Sequence, residues 1–359
     1  MPAYSEVPSM MRAAVYRGES LVTVEEVETP RIGPGEILIR VEACGVCHTD
    51  LKKVEYNLLP PPRIYGHETA GVVALVGSAV TEYKPGDRVI VFHHIPCRDC
   101  FYCQRKLYAQ CPVYKKVGVT AGFEPAGGGF SQYVRVMNWI VQGGIERIPD
   151  GVSFEQASFV EPLNTCLKAV HTANPAPGDV ALVIGQGPIG LLFTMLLADR
   201  GVRVIATDTI ASRLALSKEC GAEAGFHPLT SNIEAELKAR TEGRGADLVF
   251  VATAAKGLVE QAVAVSRPGA KICLFAQTSD KERIELSGAS LCVGERTLFG
   301  SYSASVDLQK ESAALVFGNR LPIARLISHR MPLARIGEAF HLATHPTEES
   351  LKVIVECNQ

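Results

Sequence analysis

No stretch of this sequence stays apolar for the roughly 18 residues that a membrane-spanning helix needs. Basic residues form no block and do not alternate with aromatic ones; aromatics are only 7% of the chain and the formal net charge is -2. A nucleic-acid partner and a membrane partner are therefore not expected. Residues 1–11 lack a basic region followed by an apolar core, so a secretory leader is not expected and a cytoplasmic location is. No internal repeat, low-complexity tract or long linker is present. The 11 cysteines are odd in number and include Cys-x-x-Cys spacings, which favours metal ligation over a disulfide framework.

What is present is ordinary globular material: 359 residues, 47% hydrophobic and 21% charged. That length favours two domains. The first part reads as short strands with Gly/Pro turns, at residues 12–16, 36–42, 69–76, 88–91 and 130–136. Residues 154–173 then have helical spacing. Beyond them, strands at 180–184, 202–207, 248–252 and 271–275 alternate with helices at 187–199, 212–220 and 258–265. Alternation of this kind makes a parallel sheet with crossover helices. The tail, from about Tyr302, ends in a strand at 351–355 that is expected to return to the first domain.

Cys97, Cys100, Cys103 and Cys111 form the densest cluster. Four thiolates satisfy tetrahedral Zn2+ and leave no open position, so the expected role is structural. An iron–sulfur cluster is the competing reading. A second constellation joins Gly45-Val46-Cys47-His48-Thr49-Asp50 to Gly66-His67-Glu68. It supplies a thiol, an imidazole and carboxylates, donors suited to a metal that keeps a position open.

The turn Gly185-Gln186-Gly187-Pro188-Ile189-Gly190 follows a strand and opens a helix, the setting that makes Gly-x-Gly-x-x-Gly a dinucleotide site. Gly185 permits the tight turn, Gly187 the approach of a pyrophosphate and Gly190 close packing of helix on strand. The next strand ends at Asp208, where a carboxylate binds ribose hydroxyls and repels a 2′-phosphate; NAD is expected over NADP. Arg213 is read as a helix-face residue over the adenine, and it weighs slightly against NAD.

Together these motifs resemble the zinc-containing medium-chain dehydrogenase/reductase family, the alcohol and polyol dehydrogenases, over almost the full length. The resemblance implies a Rossmann doubly wound parallel sheet at 161–302 and a β-rich GroES-like catalytic domain at 1–160 and 303–359. It implies two Zn2+ per chain and a homotetramer or homodimer. The first catalytic ligand becomes Cys47 rather than Cys44, which reads as a small buried residue. Val160-Glu161-Pro162-Leu163 falls where polyol-type members carry a ligating glutamate, so Cys47, His67 and Glu161 are the expected set. The alternatives are Glu161 as a helix-start residue and Cys166 as ligand; Cys166 is read as a core thiol. Glu68 is read as orienting the ligands, with exchangeable ligation as its alternative. Asp50 either fixes the His67 tautomer or caps a helix.

The same resemblance makes Thr49 the group that takes the substrate proton and places His48 near the pyrophosphate. Thr253, Phe275 with Ala276, and Gly300 with Ser301 line the nicotinamide half. Lys352 either reaches the pyrophosphate or is a solvated lysine. Many relatives carry a relay histidine after the threonine; here Leu51, Lys52 and Lys53 stand instead. Lys52 either replaces the histidine or is a plain exposed charge, and Lys52 or Lys53 binding an anionic substrate group is the further option. His93 matches a pocket position and suits a polyol, unless it pairs with His94 or backbone; Tyr56 and Leu58 form the opposite wall. The expected activity is reversible NAD-linked oxidation of a secondary alcohol or polyol. A threonine-type amino-alcohol dehydrogenase, a zinc-free enone or quinone reductase and a non-catalytic binding protein are the rivals.

Overall fold

The computed structural model describes residues 7–114, 119–123, 127–276 and 283–359. The chain divides into two compact units, Met1–Pro162 with Ala304–Gln359, and Leu163–Ser303. Among the described residues no helix is long and apolar enough to cross a membrane.

The second unit is a six-stranded parallel sheet. Its order is Ala222–Phe226, Arg203–Thr207, Val180–Ile184, Ala246–Val251, Ser266–Leu274, Thr297–Gly300. Chain order reverses between Val180–Ile184 and Ala246–Val251, and such a switch point opens a crevice at the carboxyl ends of the strands. Val180–Ile184 is buried at every position, as expected for a strand covered on both faces. Leu182, Ile205, Val249 and Ile272 meet in its core.

The first unit is antiparallel for the most part. Its larger sheet runs Ile327–Pro332, Lys352–Glu356, Ile37–Gly45, Glu68–Val76, Arg88–Val91, Ile145–Arg147, with Val119–Thr120 and Tyr133–Val136 attached. The tail strand Lys352–Glu356 pairs antiparallel with Ile37–Gly45, at the end that leads to Cys47. A smaller sheet holds Leu21–Glu28, Met10–Gly18 and Arg63–Ile64.

The helical stretch expected at 154–173 is two helices, Phe154–Ala157 and Val160–Ala173. Pro162 has no N–H to give the Ser158 carbonyl, so the ladder cannot run across the junction. The strand expected from residue 130 begins only at Tyr133; Ser131 makes an isolated bridge to Ala13. Leu21–Glu28, Ala222–Phe226, Thr297–Gly300 and Ile327–Pro332 are strands that the pattern had not marked. The first is half-exposed with acidic residues among its apolar ones, which blurs the period-2 signal.

Candidate metal and cofactor sites

Three separate segments converge in the first unit. The strand Ile37–Gly45 delivers Cys47, which is the N-cap of the helix His48–Glu55 and accepts the Thr49 backbone N–H at 3.5 Å. The turn before Glu68–Val76 delivers His67. The Cys47 sulfur, a His67 ring nitrogen and a Glu68 oxygen lie within 4.8 Å of one another.

Asp50, on the same helix, has its Oδ1 3.0 Å from Nδ1 of His67. A carboxylate there accepts a hydrogen bond from Nδ1–H and leaves Nε2 for a metal. Both readings of Asp50 are thus decided by contact: it orients the imidazole. Burial opposes charge on His67, but Asp50 and Cys47 outweigh it and hold its imidazolium well above the ordinary range. The other buried cation is Lys352, 5% exposed. It is ion-paired with Glu68 and donates to the Val46 carbonyl at 3.0 Å. Lys352 is therefore not a solvated lysine. The pair explains Gly45: a Cβ there would lie 1.9 Å from Glu68 Oε2 and 2.8 Å from Lys352 Cε.

Glu161 is also buried, but it is not one of the compact trio. Its Oε1 is 2.6 Å from Nε2 of His94. Burial pushes the Glu68 and Glu161 carboxyls up, with His67 and Lys352 pulling the other way. Asp50, Glu68 and Glu161 are thus three buried carboxyl groups within electrostatic reach of His67. A thiol, an imidazole and carboxylates gathered in this way are donors that fit a divalent cation. His93 lies edge-on to His67, ring centroids 5.6 Å apart, and stacks on His94 at 3.8 Å. Its Nδ1 is buried without a hydrogen-bond partner among the described residues. Tyr56 and Leu58 are exposed, at 60% and 57%. Cys44 and Cys166 are fully buried.

In the four-cysteine lobe the sulfurs of Cys97 and Cys103 are 3.8 Å apart, those of Cys100 and Cys103 3.5 Å, and those of Cys97 and Cys111 3.6 Å. A zinc–sulfur tetrahedron with bonds of about 2.3 Å has edges of about 3.8 Å, so the donors fit. Burial raises the Cys111 thiol, but the backbone N–H groups of Cys97, Tyr114 and Val113 outweigh it and bring the thiol down to about 6. A thiolate is already provided for.

In the second unit Gly185 has φ +89, the left-handed region. A Cβ on Gly190 would stand 1.8 Å from the Gly185 carbonyl oxygen, so helix and turn can meet only over glycine. Gly187 is the N-cap, and Pro188 starts the helix Pro188–Ala198, with Ile189 next. Asp208 Oδ2 accepts the Gln186 N–H at 2.6 Å and Oδ1 the Ile210 N–H at 2.9 Å. The carboxylate is thereby fixed beside the glycine turn with lone pairs to spare. Arg213 lies over that turn: its Nη1 is 3.8 Å from where a Gly187 Cβ would be. Thr253 packs against Gly185, Phe275 lies edge-on to Phe193, and Ser301 is buried with its N–H on Leu274. His48 and Thr49 are exposed on the first turn of their helix. His94 was named only as a partner for His93; its bond to Glu161, Tyr114 and the role of Lys352 escaped the sequence reading, since none carries a spacing of its own.

Two family models match: the alcohol dehydrogenase GroES-like domain over residues 33–145 and the zinc-binding dehydrogenase domain over 188–317. The chain is 31% identical to D-altritol 5-dehydrogenase of Agrobacterium fabrum, covering 91% of this chain and 94% of that one. It is 29% identical to sorbitol dehydrogenase of Bacillus subtilis, covering 98% and 99%. A zinc-binding dehydrogenase from Sinorhizobium meliloti, solved with NADP bound, superposes with a TM-score of 0.87 at 28% identity, covering 97% of this chain and 100% of that one. The glycine turn over a parallel sheet and the cysteine–histidine site thus occur together in a member of the zinc-containing medium-chain dehydrogenase family, an oxidoreductase acting on CH–OH groups.

Proposed function

We propose that this chain catalyses the reversible NAD-linked oxidation of a polyol or secondary alcohol, using one of two zinc ions. The observation that carries the reading is the convergence of the Cys47 sulfur, a His67 ring nitrogen and a Glu68 oxygen within 4.8 Å, with the buried carboxylates of Asp50 and Glu161 beside them. Cys47, His67 and Glu161 would hold the catalytic zinc, with Glu68 beside them; Cys97, Cys100, Cys103 and Cys111 would hold the structural one. When bound, zinc supplies Lewis acidity that lowers the pKa of the substrate hydroxyl, and the nicotinamide accepts the hydride.

The protein's own part is placement and proton handling. Asp50 keeps His67 in the tautomer that presents Nε2. Thr49 takes the hydroxyl proton at its Oγ1. The unpartnered Nδ1 of His93, close to His67, favours a substrate with a second hydroxyl, because that hydroxyl meets a buried polar atom left without a bond. Asp208 supports NAD, since a 2′-phosphate would face its carboxylate. Arg213 and the NADP-bound relative from Sinorhizobium meliloti are the observations on the other side. A homodimer or homotetramer is the assembly the resemblance favours.

The test is reduced-cofactor production over polyols, primary and secondary alcohols, hydroxy acids and amino alcohols, with NAD+ and NADP+ each and zinc quantified on the same sample. The expected result is two zinc ions per chain, turnover of polyols and a higher kcat/KM with NAD+. One zinc and no turnover would overturn the reading. His93→Phe should reduce the preference for polyols over simple alcohols, and Asp208→Ala should narrow the gap between NAD+ and NADP+.

A further inference from the structure

His94 is buried between two side chains that come from different parts of the first unit. Its Nδ1 is hydrogen-bonded to the Tyr114 hydroxyl and its Nε2 lies 2.6 Å from Glu161 Oε1. All three residues are more than nine-tenths buried. As the carboxylate that a metal would require, Glu161 only accepts, so Nε2 would carry the proton and donate to it. In a neutral ring Nδ1 is then the acceptor, and the tyrosine hydroxyl donates to it.

The far end of this chain is anchored in the four-cysteine lobe. Tyr114 packs against Cys103 and Cys111, with Cys97, Cys100 and Tyr108 around them. Its backbone N–H is one of the groups that lower the Cys111 thiol. A tyrosine held at its backbone by a metal-ligating sulfur, and at its hydroxyl by His94, has little freedom of its own. His94 is confined further by its stack on His93 and its contact with the Phe92 ring, centroids 3.8 Å and 5.1 Å away.

We infer that Tyr114 and His94 form a positioning chain through which the four-cysteine lobe fixes the Glu161 carboxylate at the open metal site. The inference rests on the reading of Glu161 as a donor to that metal. With Oε1 taken by His94, Glu161 has Oε2 to give, so it binds through one oxygen and in one orientation. Neither Tyr114 nor His94 touches the reacting atoms. A lobe that is remote in sequence thereby controls the third protein ligand.

Cobalt(II) exchanged into the intact zinc protein by dialysis provides the readout, through its visible absorption and the metal content per chain. Glu161→Gln should shift the absorption of the open site. His94→Phe should shift it as well and weaken metal retention there by about 10- to 100-fold, the usual effect of losing a group that orients a ligand. Tyr114→Phe should do the same to a lesser degree. His94→Gln, which keeps an N–H donor, should restore most of the wild-type spectrum. The four-thiolate bands should persist throughout. If Glu161→Gln shifts the spectrum while His94→Phe, His94→Gln and Tyr114→Phe all leave it at wild type, the positioning chain is overturned and the ligand reading stands. If Glu161→Gln itself changes neither spectrum nor retention, the ligand reading falls and takes the inference with it.

Discussion

The two candidate metal sites share one compact unit yet are assembled in opposite ways. The four-cysteine lobe draws every donor from residues 97–111, and the backbone amides that lower the Cys111 thiol belong to Cys97, Val113 and Tyr114. The open site collects Cys47 from a helix cap, His67 from a turn and Glu68 from a strand start, then leans on Asp50, Lys352 and Glu161. A local site needs only its loop to fold. A dispersed site needs the whole sheet, including the tail strand that brings Lys352. The difference teaches that closure and openness are properties of assembly: a loop can wrap an ion completely, whereas donors on separate elements leave room for a substrate.

Variants that remove one donor should break this contrast in measurable ways. The largest effect is expected for Cys47→Ala. Loss of several kcal/mol of charge stabilisation corresponds to a fall in kcat/KM on the order of 10^3-fold. Metal analysis should show the four-cysteine ion retained; activity within tenfold of wild type would show that Cys47 holds nothing essential. Asp50→Asn comes next. The amide keeps the shape but not the charge that fixes His67, and activity or open-site metal affinity should fall about 10- to 100-fold. A titration with a competing chelator measures the second quantity directly.

A smaller effect is expected in the other unit, where locality can be probed without metal. Gly190→Ala places a Cβ 1.8 Å from the Gly185 oxygen, so the turn must shift. Such overpacking costs about 1–3 kcal/mol, and cofactor affinity should weaken by roughly tenfold, read by fluorescence titration with NADH. Cys103→Ser should have the least effect on turnover and the most on stability. Its metal should be lost and the melting temperature lowered by several degrees, as about 2–4 °C per kcal/mol implies. The kcat of the folded enzyme should stay within tenfold. An unchanged melting temperature would remove the structural role from the lobe.

The two regions were not equally legible in the sequence. The lobe was readable because ligand spacing along a loop is sequence information. The glycine turn was readable for the same reason: strand, turn and helix are consecutive, and the steric demand at Gly190 arises from a residue five positions away. The strands Val180–Ile184 and Arg88–Val91 and the helix Leu258–Val265 lie at the residues their pattern marked. By contrast, Pro162 divides a helix that periodicity had left whole, because the missing N–H matters only once the helix axis is set. Lys352 looked like any lysine near the end of a chain. Its burial against Glu68 depends on a strand pairing between residues 43–45 and 354–356, which no local pattern encodes.

By itself the sequence determined the donors: four thiols on one loop, a thiol and an imidazole with carboxylates near them, and a glycine turn between strand and helix followed by Asp208. These follow from residue type and spacing, which covalent geometry preserves whatever the rest of the chain does. Only the tertiary structure decided which carboxylate meets which partner. It put Asp50 on His67, Glu68 on Lys352 and Glu161 on His94, and it left the His93 Nδ1 buried without a bond among the described residues. Those pairings are long-range contacts between separate elements, and their energy depends on burial that exists only when the sheet is complete.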